Sequence, residues 1–427
     1  MTRPATPTTL SVGLDLAKRD LAACLLLWDR QEPVKRRKLP HSPAGLEQLL
    51  ALITTVATQQ ACTTVRVGME ATGTLWQPVV EYLHASPAFQ AVELELFLLN
   101  PRELAAYKRC FAPQPKTDPQ DAYAIADYIR DGKARHALEP AAQVAALQVL
   151  TRHRLHLVEM QVREKNRLLT LLFRKFSRLA QDSPLAKTFG ATSLALLTEF
   201  HTLDEVAALP LDALATFLAQ RGRDRIAEVD TVAAAIHALA TQSYRVPDAL
   251  VTPLNFTIQS TLATITLFAR QLKDVDHQIA RTLRSFPAAA RLQSVPGVGL
   301  VFCAGLLAEI GDIARFAGHP ALAKYAGLVW LANQSGDFVG DDLTLTHAGN
   351  RYLRFYFTEA ANSVRVHAEE YRAYYQRKYA EVTKHQHKRA LVLTARKLVR
   401  LVYLLLTTEQ SYQPLSTRRK EPSPIRR

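Results

Sequence analysis

The feature that most constrains this chain is a change of hydrophobic period near residue 140. Before it, apolar runs of strand length alternate with amphipathic helical stretches. After it, nearly every segment repeats its apolar residues at three- and four-residue steps. "SVGLDLAKRDLAACLLLWD" (11–29) holds two apolar runs joined by a polar "AKRD", which predicts a strand, a tight turn and a second strand. "VKRRKLPH" predicts a third, edge-like strand, and "SPAGLEQLLALITTVA" a helix entered through Ser-Pro. "TTVRVGME" (63–70) is a β-rich run ending in an acid, "GTLWQPVVEYLHA" a helix, and "VELELFLLNP" (92–101) a strand that becomes buried along its length. Strands alternating with helices predict a mixed sheet flanked by helices over 1–140.

The rest of the chain predicts helices. "LQVLTRHRLHLVEMQVREKNRLLTLLFRKFSRL" (147–179) and "TPLNFTIQSTLATITLFARQLKDVDHQIARTL" (252–283) are long and amphipathic, and could pair as an antiparallel hairpin. The basic face of the first fits a solvated bundle helix and a nucleic-acid contact equally well. Between them, 180–250 predicts short helices broken by Pro and Gly, with no chemistry of its own. A compact Gly-rich unit spans 286–375. Residues 376–427 hold a basic amphipathic helix (384–406) and a basic, Pro-containing tail. The expected division is therefore 1–140, 141–285, 286–375 and 376–427. A chain of 427 residues exceeds one ordinary core.

A formal net charge of +14 points to an anionic partner, of which nucleic acid is the commonest. Hydrophobic content of 48% argues against global disorder. The four cysteines are widely spaced with no CxxC pair, which excludes a zinc ribbon or a dithiol redox motif and fits a reducing compartment. "MTRPATPTTL" lacks a signal-peptide core, and the longest apolar stretch, 295–308, is too short to span a bilayer. A cytoplasmic protein without a membrane partner is expected. The histidine pairs of "HRLH" (153–156) and "KHQHK" (384–388) lack cysteine or acidic partners at ligand spacing, and predict solvated or nucleic-acid-facing side chains.

Four acids stand out in the α/β region. Asp15 lies inside an apolar strand, where an unpaired carboxylate costs several kcal/mol unless it is paired, metal-bound or on a solvent face. Glu70 ends a later strand, at the edge where open α/β sheets bind ligands. Asp118 and Asp121 open a helix, Asp118 as its expected N-cap. Any one of these has a bland explanation; the set is more specific. With "VGLDLAK", "GMEATG" and "KTDPQDA" in this order, the chain resembles the IS110/IS1111-type insertion-sequence transposases. "LQSVPGVGLVFCAGLLAEIGDIARF", "LAKYAGLVWLANQSG" and "THAGNRYLRFYFTEAA" resemble the C-terminal domain of the same family.

The resemblance implies an RNase H-like (RuvC-like) α/β domain followed by mainly α-helical middle and C-terminal domains. It implies that Asp15, Glu70, Asp118 and Asp121 form a DEDD metal site. Clustered carboxylates need neutralising cations, and Mg²⁺, or Mn²⁺ in its place, takes oxygen ligands in such sites. It also implies that Ser335, in "NQSGDFVGDD", is a nucleophile that forms a phosphoserine link to DNA; a Ser-Gly loop alone would more often be a turn. No neighbouring His or Lys is obvious as its base, although His347 lies within reach in sequence. "SVPGVG" reads as a helix-hairpin-helix turn whose Gly297 and Gly299 admit a phosphate, a plain helix-helix turn being the alternative. In "THAGNRYLR", Asn350, Arg351 and Arg354 are candidate phosphate ligands, with surface salt bridges as the alternative. The implied partners are donor and target DNA, an element-encoded structured guide RNA, and a second or further copies of the chain as a homodimer or homotetramer. The competing expectations are a hydrolytic RuvC-like endonuclease, which needs no serine, and a non-catalytic nucleic-acid-binding scaffold.

Overall fold

The computed structural model describes residues 8–71, 73–110, 117–134, 142–185, 188–331, 334–335, 338–339, 344–346 and 348–414. The chain divides into two compact units, Met1–Pro140 and Ala141–Arg427.

The first unit is built on a five-stranded sheet: β1 (Thr8–Leu16), β2 (Asp20–Leu26), β3 (Arg37–Pro40), β4 (Cys62–Glu70) and β5 (Glu93–Leu99), in the order β3-β2-β1-β4-β5. β1, β2 and β3 pair antiparallel, while β1, β4 and β5 run parallel. The parallel joins need crossovers, supplied by α1 (Pro43–Gln59) and α2 (Trp76–Ala85). This order and these directions are those of an RNase H-like fold. Ser42 starts α1 as expected, its side chain accepting from the Gly45 N–H.

The period of two along β1 sorts its side chains. Leu10, Val12 and Leu14 enter one core with Leu49 and Ile53 of α1 and Val79 and Leu83 of α2. Ser11, Gly13 and Asp15 have the opposite parity and face α4 (Asp118–Arg130), which follows α3 (Pro101–Lys108). On that side Ala22, Cys24 and Leu26 pack with Ala122 and Ala126, and Ile125 and Ile129 pack with Phe97 and Leu99.

The small residues let helix and sheet approach closely. A Cβ on Gly13 would lie 2.0 Å from the Ala122 carbonyl oxygen and 2.4 Å from the Ala126 nitrogen, both backbone atoms of α4. Gly13→Ala is therefore expected to push α4 off the sheet and destabilise the unit by about 2–3 kcal/mol. Gly68→Ala is the control: its Cβ would meet only the tips of Ile125 and Ile129, at 3.0 Å. Equal thermal midpoints for the two variants would contradict this packing.

The second unit is helical apart from two short ribbons. α5 (Ala142–Lys175) and α11 (Asp248–Leu283) form an antiparallel hairpin about 50 Å long. Its direction is set by Arg154 with Asp276, Gln161 with the Ile265 carbonyl, and Lys175 with Asn255. α6 (Ser177–Asp182), α7 (Ala191–Glu199), α8 (Leu203–Ala208), α9 (Leu211–Gly222) and α10 (Val229–Thr241) close over a core of their own at the hairpin's far end. The buried Lys175 ammonium ties this part together, donating to Leu197 O, Phe200 O and Asn255 Oδ1; burial pushes it down to about 8.

α12 (Ala288–Gln293), α13 (Leu300–Ile310), α14 (His319–Tyr325), α15 (Arg351–His367), α16 (Glu369–Ala380) and α17 (Gln386–Thr407) pack with the near end of the hairpin, burying Leu147, Ile279 and Leu283 in a shared core. Between α14 and α15 run β6 (Trp330–Leu331), β7 (Gln334–Ser335), β8 (Phe338–Val339) and β9 (Thr344–Leu345), with β6 paired to β9 and β7 to β8. Among the described residues no helix is long and apolar enough to cross a membrane.

Candidate active site

The strand parity that points Gly13 at α4 points Asp15, two residues on, at the start of that helix. Asp118 and Asp121 occupy its first turn on one face. The N-cap is Thr117, whose extended backbone (φ −140°, ψ 150°) the position requires, and not Asp118 as the sequence suggests; Asp118 is already helical and precedes Pro119. Glu70 ends β4 opposite Leu99 of β5.

The acids act on one another. Asp15 is pushed up to about 6, first by burial, then by the negative charges of Asp121 and Asp118, with Glu70 adding to them and Lys108 opposing. Lys108 Nζ lies 2.6 Å from Asp121 Oδ1, and Lys38 Nζ lies 3.4 Å from Asp118 Oδ2 and 3.1 Å from Asp20. Two lysines thus offset part of the excess charge of the quartet. The donor set, carboxylate oxygens only, suits a hard divalent cation. Among the described residues, however, no three Asp, Glu, His or Cys side chains are already gathered as an ion-holding cluster. Lys108 occupies one oxygen of Asp121, Oδ1.

Behind the quartet lies a second carboxylate network. Asp127, fully buried on α4, accepts from Arg30 Nε at 3.1 Å, Arg130 Nε at 2.8 Å and the Tyr107 hydroxyl at 2.8 Å. Burial raises this carboxyl, but the Arg130, Tyr107 and Arg30 donors outweigh it and hold it below its usual range. Asp127 therefore fastens α4 to α3 and to the β2–β3 turn.

In the second unit, Ser335 is the last residue of β7, paired with Phe338. Its neighbour Gly336 and the candidate base His347 lie outside the described residues. The segment that carries Ser335 is anchored at its base: Thr346 N donates to Val329 O and Asn350 N to Tyr325 O. Gly349, at φ 122°, crosses Gly327 so closely that a Cβ would sit 2.6 Å from Tyr325 O and 2.8 Å from the Gly327 nitrogen.

A buried carboxylate holds this base. Glu309 of α13 is fully buried and takes a two-pronged contact from Arg152 of α5, at 2.8 and 2.9 Å, and the Asn350 amide at 2.7 Å. Asn350 also donates to the Tyr325 hydroxyl and caps α15 by accepting from the Tyr352 and Leu353 N–H groups. Both ends of its amide are thus occupied inside the protein, so a phosphate contact would have to displace the cap. Glu309→Ala is expected to destabilise the second unit by about 3–5 kcal/mol, because Arg152 and Asn350 lose their buried partner. An unchanged urea midpoint would remove Glu309 from this role.

The other candidate phosphate ligands divide. Arg351 is exposed and lies over the Tyr352 ring, 4.7 Å from its centroid. Arg354 packs against Gly327, and burial pushes its guanidinium down. In the hairpin between α12 and α13, Gly297 has φ 96° and meets the α15 backbone at Ser363 and Val364, so it turns toward the protein. Gly299, the N-cap of α13, has open space where a Cβ would be.

Lys108, Asp127, Glu309 and Arg152 were not found by reasoning from sequence. Asp127 in "AIADYI" and Glu309 in "LLAEIG" carry the same signal as Asp15, an acid inside an apolar run.

Comparisons with known proteins agree with this architecture. Residues 12–177 match a family model described as a transposase, with the DEDD domain of IS110 elements, and residues 289–376 match one described as the transposase IS116/IS110/IS902 family. The insertion element IS116 44.8 kDa protein of Streptomyces clavuligerus is 31% identical over 70% of this chain and 73% of its own. The insertion element IS900 42 kDa protein of Mycobacterium paratuberculosis is 27% identical over 95% and 97%. The solved structure of T. thermophilus RuvC in complex with a Holliday junction substrate aligns with 30% of this chain and 99% of its own, at 16% identity and a TM-score of 0.23. The fold class rests on the strand order and the family match, not on that likeness. An RNase H-like sheet under the first transposase match, followed in chain order by the second, defines an enzyme of the DNA transposase class. The chain belongs to the IS110/IS116 family of insertion-element transposases.

Proposed function

We propose that this transposase cuts and rejoins DNA through a phosphoserine intermediate on Ser335, with Asp15, Glu70, Asp118 and Asp121 as the ligands of Mg²⁺ or Mn²⁺. The observation that carries the reading is that Asp121, Asp118 and Glu70 all stand close enough to the buried Asp15 for their charges to act on it, adding to the burial that is the main cause of its raised carboxyl. A bound divalent cation would neutralise the scissile phosphate and make hydroxyl deprotonation easier. Asp15, Glu70, Asp118 and Asp121 would hold the cation through their carboxylate oxygens, and its positive charge would offset the repulsion among them.

The Ser335 oxygen attacks the phosphorus, a P–O bond to deoxyribose breaks, and the leaving sugar oxygen takes a proton. Attack by a sugar hydroxyl on the phosphoserine reverses the step, so rejoining needs no ATP. Exposed Arg351 and the open N-terminus of α13 at Gly299 supply phosphate contacts. In function the chain divides into the acidic domain (1–140), the helical hairpin (141–285), the serine domain (286–375) and a basic C-terminal part (376–427). An element-encoded structured RNA selects donor and target DNA in the cytoplasm, and a homodimer or homotetramer holds the two duplexes.

The test is a labelled DNA carrying an element end, incubated with the protein, RNA transcribed from the element's non-coding end and Mg²⁺, and run on a denaturing gel. A slow band that protease removes is expected. Free cleaved ends alone would leave a hydrolytic endonuclease, and no metal-dependent cleavage would leave a binding scaffold.

A further inference from the structure

Positive charge in the first unit gathers at one place. Residues 17–41 hold seven Lys and Arg against three acids, while the rest of 1–140 holds nine against twelve. Two of the seven are spent inside the fold, Arg30 on Asp127 and Arg36 on Glu32. The other five, Lys18, Arg19, Lys35, Arg37 and Lys38, are exposed. Among the described residues the first four of these have no ion-pair partner. Strand register puts the group beside the acidic quartet. Asp15 pairs with Ala22, and Ala22 with Lys38, so the three stand in one row on one face of the sheet. Two strand spacings separate the Lys38 backbone from that of Asp15, about 10 Å. The Lys38 ammonium reaches Asp118 and Asp20. Lys18 and Arg19 form the turn that follows β1, just beyond Asp15. That turn is fastened to the end of β3: the His41 N–H donates to Arg19 O at 3.0 Å, and His41 Nδ1 lies 2.7 Å from Ala17 O. β3 is the outer edge of the sheet.

We propose that this rim, the β1–β2 turn with the edge strand β3, carries the phosphate backbone of the DNA strand that is cut. A cluster of carboxylates repels a phosphodiester, and salt screens that repulsion only beyond about 8 Å. Cations along the approach offset it at the range where it acts. Lys and Arg without an acidic partner keep all their donors for phosphate oxygens. Cations kept for solubility alone would have no cause to gather at one rim of a unit that is otherwise short of them. The occupant is DNA because the rim leads to the site that acts on DNA; an RNA that selects the target need not enter it. The inference rests on the quartet as the cutting site and adds the path by which the strand reaches it.

Two probes test it on the full-length protein by fluorescence anisotropy in EDTA: a duplex DNA carrying the element end, and an RNA hairpin of the same length. Lys18→Gln with Arg19→Gln, and Lys35→Gln with Arg37→Gln, each remove two exposed cations. Lys38 is left intact because it touches Asp118. Each pair is expected to weaken the duplex about tenfold and to lower the slope of log affinity against log salt by about 2. The hairpin should lose no more than about threefold. Arg223→Gln with Arg225→Gln, exposed residues at the end of α9, remove the same charge elsewhere and should leave the duplex within about twofold. In the cleavage assay the rim pairs should raise the DNA concentration at half-maximal rate about tenfold and leave the plateau rate within about threefold. An unchanged salt slope in both rim pairs, or an equal loss in the α9 control, would overturn the rim. An equal loss for the hairpin would overturn its assignment to DNA. Weaker binding with no change in the half-maximal concentration would show that the bound strand is not the one cut, and defeats the path. The EDTA measurements involve no chemistry, so they stand or fall apart from the metal and serine reading, which the adduct gel decides.

Discussion

Ser335→Ala is expected to abolish both DNA cleavage and the protease-sensitive adduct, while binding of the same DNA stays within about twofold. The substitution removes one oxygen at the end of β7. The ribbon itself is held by backbone pairing to Phe338 and by the anchoring bonds below it, neither of which uses the serine side chain. A nucleophile acts only in the transition state, so its loss falls on the rate and spares binding. Attack by water in its place would give a free end and not a link to protein. Cleavage at the wild-type rate by Ser335→Ala, with free ends, would defeat the covalent reading. It would leave the acidic quartet as a hydrolytic site.

Asp121→Asn is the second large effect. It keeps the shape of the side chain and removes its charge. Metal-dependent cleavage should fall by at least about a thousandfold, because a misplaced ligand in a mutually dependent set disables the site as a unit. The same change separates a metal role from a structural one. If Asp121 serves only as the partner of Lys108, a partly buried pair of this kind is worth about 1 kcal/mol and cleavage survives. If it is a ligand, Mn²⁺ binding measured by calorimetry weakens in step with the lost activity, while the thermal midpoint barely moves. Asp15→Asn, Glu70→Gln and Asp118→Asn should behave alike. Retained cleavage in any one of them would strike that residue from the quartet.

Much of the first unit was legible before any coordinates. The five strands and the helices between them follow from runs whose period, two or about 3.6, is a local property of the chain. The sheet's mixed character follows from which strands are joined by a tight turn and which by a helix. α3 in the first unit, and α16 in the second, are among the elements that this reading missed. α3, which delivers Lys108, is short and largely polar, so its period carries little signal. α16 is nearly devoid of an apolar face and is held by packing against α15 and α17. Asp118 as the cap was also misplaced, since Thr117 and Asp118 are both good caps and only the backbone turn chooses between them.

The sequence alone determined the period change at residue 140, the four acids and their order, the serine in its motif and the excess of positive charge. These are decided by residue type and spacing, which a linear chain displays in full. Tertiary structure decided what each charged group faces. It turned Asp15 toward Asp118 and Asp121 by strand parity and a gap where Gly13 has no side chain. It matched Lys108 to Asp121, and spent Asn350 on a helix cap and on Glu309. Buried charges are selected by partners far away along the chain, 157 residues between Arg152 and Glu309 and 97 between Arg30 and Asp127, and no local pattern records such a pairing.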